Sequence, residues 1–306
     1  MVDLEALLGR TSRTFALSIP RLPEPTRGAV TLAYLLFRIA DTFEDAAVWP
    51  KARRAEALEA FVALLTDEAV TSGRGVPPRA AELSARWVEA RPCEHQGYLD
   101  LVAATPEVLA AVASLDAPSR AVVLRHAVRT AAGMKGFVMQ STEGGDLALG
   151  ALGELRDYCY VVAGIVGELL TDLFMLHAPA LDAVESELRG NARDFGEGLQ
   201  LVNILKDAAD DARDGRVYLP TDVPRSDVLA LARADLGKAR AYVLALQGAG
   251  APRGFVEFTA LPVVLARATL DKVELDGPGA KLPRAEVFAL AARLDARLDE
   301  GAAALD

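Results

Sequence analysis

Apolar residues recur along most of this chain at intervals of three and four positions, which is the spacing of one face of an α-helix. Stretches rich in proline and glycine, such as "SGRGVPP" and "DGPGAKLP", separate the periodic segments and mark their ends. The pattern predicts helices over residues 27–45, 51–68, 80–90, 119–140, 153–176, 185–212, 226–247, 255–274 and 283–303.

The composition also indicates a helical chain. Of the 306 residues, 52% are hydrophobic and only 6% are aromatic, and long runs of β-branched residues are scarce. We therefore predict an all-α protein. No proline/glycine stretch is long enough to require a domain boundary, so we expect residues 1–306 to form a single helical domain around a central apolar cavity. Two stacked helical bundles are the alternative.

The charge narrows the classes of function. The formal net charge of −10 leaves no basic stripe for a nucleic acid, and it means that an anionic substrate would need a local cationic site or a metal. Cys93 and Cys159 lack metal-type spacing. No run reaches the roughly 18 uninterrupted apolar residues of a membrane span. We expect a cytoplasmic monomer with no nucleic-acid partner and no transmembrane segment.

A polar stripe runs along the first long apolar helix. Tyr34, Arg38, Asp41 and Asp45 are separated by four, three and four residues, so they share one helix face. The residues between them are almost all apolar, which predicts a buried helix whose polar stripe faces an interior cavity. For this segment alone, simple pairing of the acids with Arg38 is an alternative explanation.

A second stripe lies some 160 residues later. Gln200, Asn203, Asp207 and Asp211 again share one face of an apolar helix, with Asp210 beside it. Carboxylates at this density repel each other unless a cation lies between them, and carboxylate oxygens are preferred ligands of Mg²⁺. Two such clusters predict Mg²⁺ or Mn²⁺ ions around a diphosphate, with apolar walls that shelter a carbocation.

Five segments together resemble a known family. They are "SRTFALSIPRLP" (12–23), "YLLFRIADTFED" (34–45), "YCYVVAGIVGELLTDLF" (158–174), "LQLVNILKDAADDARDGRVYLP" (199–220) and "FTALPVVLARATL" (258–270). The chain resembles the squalene/phytoene synthase family, head-to-head prenyl synthases of the isoprenoid synthase fold, over nearly its whole length. The resemblance is closest to the bacterial squalene synthases of that family.

The resemblance implies a role for each matching residue. Implied metal ligands are Asp41, Asp45, Asp207 and Asp211, with Asp210 in support. Implied contacts to diphosphate oxygens come from Ser12, Arg13, Arg38, Lys206 and Arg216. Tyr158 matches the catalytic tyrosine and Tyr34 lines the same cavity, while Phe15, Gln200 and Asn203 would lie near bound NADPH. Two positions depart from the family pattern: Lys206 replaces an arginine, and Thr14 replaces a serine.

The implied reaction has two steps. Two farnesyl diphosphates would condense to presqualene diphosphate, and NADPH-dependent rearrangement would give squalene for sterol or hopanoid biosynthesis. Product release would involve peripheral contact with a membrane. Alternatives are an enzyme that ends at presqualene diphosphate or hydroxysqualene, and a phytoene synthase that uses geranylgeranyl diphosphate. From another class, a catalytically silent helical assembly factor of prenyl metabolism is the remaining alternative.

Overall fold

The computed structural model describes residues 3–12, 15–142 and 146–306. Arg13, assigned above to diphosphate, and Thr14 lie outside these residues. Within them the regular structure is helical apart from two strands of two residues each, so the all-α prediction is confirmed. The chain folds into two compact units. The expectation of a single domain stays a prediction.

The first unit contains the described part of residues 1–20 and 24–147. Its helices are α1 (Leu4–Thr11), α2 (Phe15–Ser18), α3 (Thr26–Glu44), α4 (Lys51–Leu65), α5 (Glu68–Thr71), α6 (Arg79–Glu89), α7 (Gln96–Ala103), α8 (Thr105–Ser114) and α9 (Ala117–Gln140), and a 3₁₀ turn covers Ile19–Arg21 at its boundary. α3 packs against α4 and α9, and most of its residues are buried. A helix that is apolar nearly all round belongs in a protein interior, as the sequence predicted.

The second unit contains residues 21–23 and 148–306. Its elements are α10 (Leu152–Cys159), a π turn (Tyr160–Gly164), α11 (Ile165–His177), a 3₁₀ helix (Pro179–Val184), α12 (Glu185–Arg213), α13 (Arg225–Gly248), α14 (Arg253–Asp276) and α15 (Arg284–Asp299), with strands β1 (Leu147–Ala148), at the unit boundary, and β2 (Arg216–Val217). α12, with 29 residues, is the central helix and packs against α11, α13, α14 and the π turn.

Two glycines let the backbones of this unit approach closely. A Cβ added at Gly167 would lie 1.8 Å from the Ala192 carbonyl oxygen, and one at Gly196 would lie 2.0 Å from the Ala163 carbonyl oxygen. Both distances are far below van der Waals contact, so α11 and the π turn can rest on α12 only where a side chain is absent. The π turn interrupts what the apolar pattern presented as one continuous helix over 153–176.

The nine predicted helices are all present, with ends that differ by a few residues. The sequence pattern missed the shorter helices α1, α2, α5, α7 and α8, which contain too few turns to show a clear period.

Among the described residues, one helical stretch, Leu152–His177, is long and apolar enough to cross a membrane, with a mean hydropathy of 1.8. Half of its most apolar window is buried inside the protein. Length and composition alone do not separate a membrane span from the core helix of a folded unit, and α11 packs against α12.

Candidate active site

The α3 stripe is an ordered row of contacts in the first unit. The Tyr34 hydroxyl donates to the Thr11 carbonyl oxygen over 2.8 Å, and Arg38 Nε donates to the Tyr34 Oη at 3.4 Å. Arg38 Nη1 lies 3.2 Å from Asp41 Oδ2. The Arg38 guanidinium also stacks over the rings of Tyr34 and Tyr98, at 5.7 and 5.3 Å from their centroids. One arginine is therefore held rigidly beside the first carboxylate.

Asp41 is only partly neutralised by the arginine beside it. Burial raises the pKa of the Asp41 carboxyl to about 6; Arg38 opposes the rise, and the neighbouring Asp45 carboxylate adds to it. Asp41 is 27% exposed and Asp45 lies at the helix end on the surface, so an incoming ion can reach both. A divalent cation would add to the positive charge of Arg38, and the carboxylate donors suit Mg²⁺.

The α12 stripe, in the second unit, also places basic side chains beside its carboxylates. Lys206 Nζ lies 3.1 Å from Asp207 Oδ2 and donates to Asn203 Oδ1 at 3.4 Å. Arg216 Nη2 lies 3.8 Å from Asp211 Oδ1 and 3.3 Å from Asp214 Oδ2. The Asp207 and Asp211 carboxylates are half-buried, and their donor set again suits Mg²⁺.

Asp210 stands apart from its neighbours on α12. It is exposed, and its carboxylate pairs with Arg213 rather than with Lys206 or Arg216. A supporting role of Asp210 toward a metal stays a prediction.

Tyr158 has a partner that the sequence reasoning missed. The Tyr158 hydroxyl donates to the Tyr218 Oη over 3.0 Å, and the two rings stack with centroids 4.6 Å apart. Both side chains are buried. Tyr218 follows β2, and the Leu149 N–H donates to the Val217 carbonyl oxygen, which fixes this segment beside the start of α10. The stretch "RVYLP" contained the signal, but only the fold shows which aromatic it meets.

The residues assigned to NADPH do not all lie in one unit. Phe15 lies in the first unit, where its N–H bonds to Ser12 Oγ at 2.9 Å and its ring centroid lies 5.4 Å from that of Tyr34. Gln200 and Asn203 lie on α12 in the second unit. The assignment of these three residues to a nicotinamide site stays a prediction.

A further acidic cluster, absent from the sequence predictions, lies in the second unit. One carboxylate oxygen each from Asp194, Glu197 and Asp235 lie within 4.8 Å of one another, and all three residues are buried. Their spacing could suit a cation held by all three. Arg156 Nη2 already lies close to each of them, at 3.1, 2.9 and 3.8 Å respectively. The aspartate stripe of each unit remains a candidate ligand site.

Comparison with known proteins decides what this arrangement belongs to. The family model described as squalene/phytoene synthase matches residues 8–228, which include both stripes and Tyr158. The chain belongs to the squalene/phytoene synthase family. Members of this family are prenyltransferases of isoprenoid biosynthesis that act on isoprenyl diphosphates with a divalent metal.

Relatives of both reaction types resemble the chain. The squalene synthase of Eremothecium gossypii is 27% identical over 286 residues, covering 86% of this chain and 60% of the relative. That of Mycosarcoma maydis is 29% identical and covers 72% and 35%. The phytoene synthase of Thermus thermophilus is 35% identical over 152 residues, covering 44% and 50%. The chain thus spans from about a third to 60% of the length of these two squalene synthases.

Solved structures of squalene synthases share the fold. TcSQS in complex with a ligand gives a TM-score of 0.70 at 24% identity, covering 97% of this chain and 87% of that one. HpnC of Alicyclobacillus acidocaldarius gives 0.53 at 17% identity and covers 90% and 94%. The prediction of the isoprenoid synthase fold is confirmed.

Proposed function

We propose that this member of the family is a squalene synthase, a farnesyl-diphosphate farnesyltransferase. The observation that carries the proposal is the pair of aspartate stripes on α3 and α12, each with solvent-accessible carboxylates beside one or two basic side chains. Similarity to a squalene synthase over 86% of the chain supports farnesyl diphosphate as the substrate.

The stripes would bind the diphosphate end of the substrate. Asp41 and Asp45 on one helix, and Asp207 and Asp211 on the other, would hold Mg²⁺, which when bound neutralises the departing diphosphate. Basic and hydroxyl side chains would add direct contacts to its oxygens; these are Ser12, Arg13, Arg38, Lys206 and Arg216. Arg38 suits this role because its guanidinium is already oriented by Tyr34 and Tyr98.

Tyr158 would guide the proton that leaves when the cyclopropane ring of presqualene diphosphate closes. Because its hydroxyl donates to Tyr218, its oxygen is oriented and can receive the proton lost from carbon, which then passes to the released diphosphate, or can direct that proton to the diphosphate itself. The buried tyrosine pair also excludes water, which would otherwise capture the carbocation. Tyr34 would line the same apolar region.

The second step would be the reductive rearrangement to squalene, for which NADPH supplies the hydride when it is bound. The side chains proposed to lie near it are Phe15, Gln200 and Asn203. The sequence resemblance to squalene synthases supports this step. The protein would work in the cytoplasm as a monomer and touch a membrane only peripherally.

Product analysis tests the proposal. The purified protein is incubated with farnesyl diphosphate and Mg²⁺, with and without NADPH, and extracts are analysed by gas chromatography–mass spectrometry after phosphatase treatment. We expect squalene only with NADPH and presqualene alcohol without it. Presqualene alcohol or hydroxysqualene under both conditions would remove the reductive step and the roles of Phe15, Gln200 and Asn203.

Phytoene synthase is the second candidate. The Thermus thermophilus phytoene synthase has the higher identity, 35%, although over only 44% of this chain. The same assay with geranylgeranyl diphosphate distinguishes the two. Phytoene from this substrate, with no product from farnesyl diphosphate, would keep the metal-binding role of the stripes and replace the substrate.

A further inference from the structure

Arg156 on α10 joins three elements of the second unit through one nitrogen atom. Its Nη2 lies 3.1 Å from Asp194 Oδ1 and 2.9 Å from Glu197 Oε2, both on α12, and 3.8 Å from Asp235 Oδ2 on α13. The three carboxylates are 10%, 0% and 2% exposed. The guanidinium therefore lies where a divalent cation would lie if the carboxylates were its ligands.

The cluster is balanced in charge by its own side chains. Arg193 Nε bonds to Glu197, and Lys238 Nζ lies 3.0 Å from Asp194 Oδ1, so among the described residues three cations accompany three carboxylates. Among the described residues, Asp235 Oδ2 has no hydrogen-bond partner. The cation nearest to it in the cluster is Arg156, at 3.8 Å. A cluster whose buried carboxylates are matched in number by its own cations has little need of a metal, in contrast to the aspartate stripes.

The same network continues to the other side of Tyr158. The Arg193 guanidinium lies over the Tyr160 ring, 4.6 Å from its centroid, and the Tyr160 hydroxyl donates to Glu168 Oε1 at 3.1 Å. A Cβ added at Gly164 would lie 2.7 Å from Tyr160 Cδ2, so the ring packs directly on the π turn. Tyr158 is thus flanked, two residues before and two after, by side chains anchored to the network around Glu197 on α12.

We propose that Arg156 is a positioning residue for Tyr158. It fixes the rotation and register of α10 against α12 and α13, so that the Tyr158 hydroxyl meets Tyr218 at hydrogen-bond distance. A buried ion cluster adds little net stability compared with apolar side chains of equal volume, but it accepts few alternative geometries. The guanidinium is planar and its donors point in fixed directions, so it holds the carboxylates around it in a more defined geometry than a freely rotating ammonium would. This inference rests on the catalytic role proposed above for Tyr158.

Hydrogen exchange tests the structural part without any substrate. Arg156→Gln is compared with Arg189→Gln, a matched control in the same unit, because Arg189 also bridges two carboxylates, Asp172 at 2.8 Å and Glu185 at 2.7 Å. We expect backbone amides of residues 152–164 to exchange at least about tenfold faster in Arg156→Gln and to be unchanged in the control. Unchanged exchange in Arg156→Gln would overturn the inference.

Kinetics test the functional part. We expect Arg156→Gln to lower kcat for presqualene diphosphate formation by about 10- to 100-fold, with KM changed less than about threefold, because a misplaced group costs rate rather than binding. The variant Tyr158→Phe/Arg156→Gln should be no slower than Tyr158→Phe alone. Multiplicative losses in the double variant would show that Arg156 does not act through Tyr158 and would overturn the inference.

Two further variants, Arg156→Lys and Tyr158→Phe, serve as controls for the exchange and kinetic experiments. Arg156→Lys retains the charge and loses the fork; it replaces Arg156→Gln if that variant does not fold, and we expect it to show the same effects at smaller size. Full activity of Tyr158→Phe would remove the tyrosine's role and the inference with it. Absence of any turnover of farnesyl diphosphate by the unaltered protein would instead contradict the proposed function, while the exchange experiment still decides whether Arg156 holds α10.

Discussion

This protein has two kinds of acidic region, which contain the same types of side chain in different environments. In the stripes of α3 and α12, the carboxylates remain accessible to solvent beside Arg38, Lys206 and Arg216. In the cluster of Asp194, Glu197 and Asp235, carboxylates are buried and matched by Arg156, Arg193 and Lys238. The two regions therefore differ in the solvent access of their carboxylates and in how closely cations match them, although both take their acids from long helices.

The largest expected effect is on catalysis at the stripes. Asp41→Ala or Asp207→Ala should lower the rate of farnesyl diphosphate consumption at least a thousandfold, about 4 kcal/mol of barrier, because neither ionisation can proceed without metal. Melting temperatures should stay within about 3 °C of the unaltered protein, because these carboxylates are partly solvated. Glu187→Ala, an exposed change on α12, is the control. Retention of more than a few per cent of the activity would contradict a metal-binding role.

The buried cluster should show the reverse behaviour. Glu197→Ala leaves Arg156 and Arg193 without their shared partner and should lower the free energy of unfolding by about 3 kcal/mol or more. Glu185→Ala breaks an exposed ion pair with Arg189 and should change the free energy of unfolding by less than about 1 kcal/mol. Urea unfolding followed by circular dichroism measures both. Equal losses in the two variants would remove the distinction drawn between buried and exposed acids.

Ligand binding should separate the regions further. Mg²⁺ with inorganic diphosphate, at a hundredfold excess over its dissociation constant, should stabilise the unaltered protein by about 2.7 kcal/mol in thermal unfolding. Asp41→Ala and Asp207→Ala should lose this gain. Asp235→Asn should keep it, because Asp235 belongs to the cluster that its own cations neutralise. Loss of the stabilisation in Asp235→Asn would mean that the buried cluster, rather than the stripes, holds the metal.

The pH dependence of stability provides a test with a smaller expected effect. Desolvation raises the pKa of Asp235 to about 6, although Arg156 opposes it, against an ordinary value of 3.8 in the unfolded chain. A raised acid pKa means that the folded state holds the proton more tightly, so the contribution of Asp235 to stability falls as pH rises from about 4 to about 6. The stability of the unaltered protein relative to Asp235→Asn should decrease across that window, by up to about 2 kcal/mol.

Urea unfolding of both proteins at pH 4.5, 5.5 and 6.5 measures this difference. A relative stability that rises with pH would mean that Arg156 outweighs the desolvation of the carboxyl. Asp295→Asn, which removes a partly exposed carboxyl, is a control; the stability of the unaltered protein relative to this variant should show no decrease across the same range.

The smallest effect concerns Lys206, the position at which the family pattern has arginine. Lys206→Arg introduces a fork that can bind two phosphate oxygens, and we expect KM for farnesyl diphosphate to fall by about two- to fivefold with kcat little changed. Steady-state kinetics measure this. Lys238→Arg, which changes a lysine of the buried cluster, should leave KM unchanged.

Local periodicity was enough to predict much of the fold. The nine long helices and the two stripes follow from spacings of three and four residues within one helix, a property that does not depend on the rest of the protein. The π turn at Tyr160–Gly164 was not predicted, because one extra residue in a turn barely alters an apolar pattern. The π turn is stabilised by its close contact with α12, which the local sequence does not show.

Partners distant in the sequence could not be predicted. Tyr158 and Tyr218 are 60 residues apart, and Arg156 is 38 and 41 residues from Asp194 and Glu197. Nothing in the local sequence of "LRDYC" separates an exposed arginine from one that three buried carboxylates surround. The sequence therefore assigned chemistry to Tyr158 and none to the arginine two residues before it.

The sequence by itself determined the helical class, the long helices and the two aspartate stripes, because helical periodicity and carboxylate density are local. Only the tertiary structure decided which acids remain accessible to a metal and which are neutralised, since burial and ion pairing arise when distant helices pack. Asp41 and Asp235 show this directly: desolvation raises the pKa of both to about 6, yet Asp41 is 27% exposed and lies beside the exposed Asp45, whereas Asp235 is 2% exposed and lies near Arg156 with two other buried carboxylates.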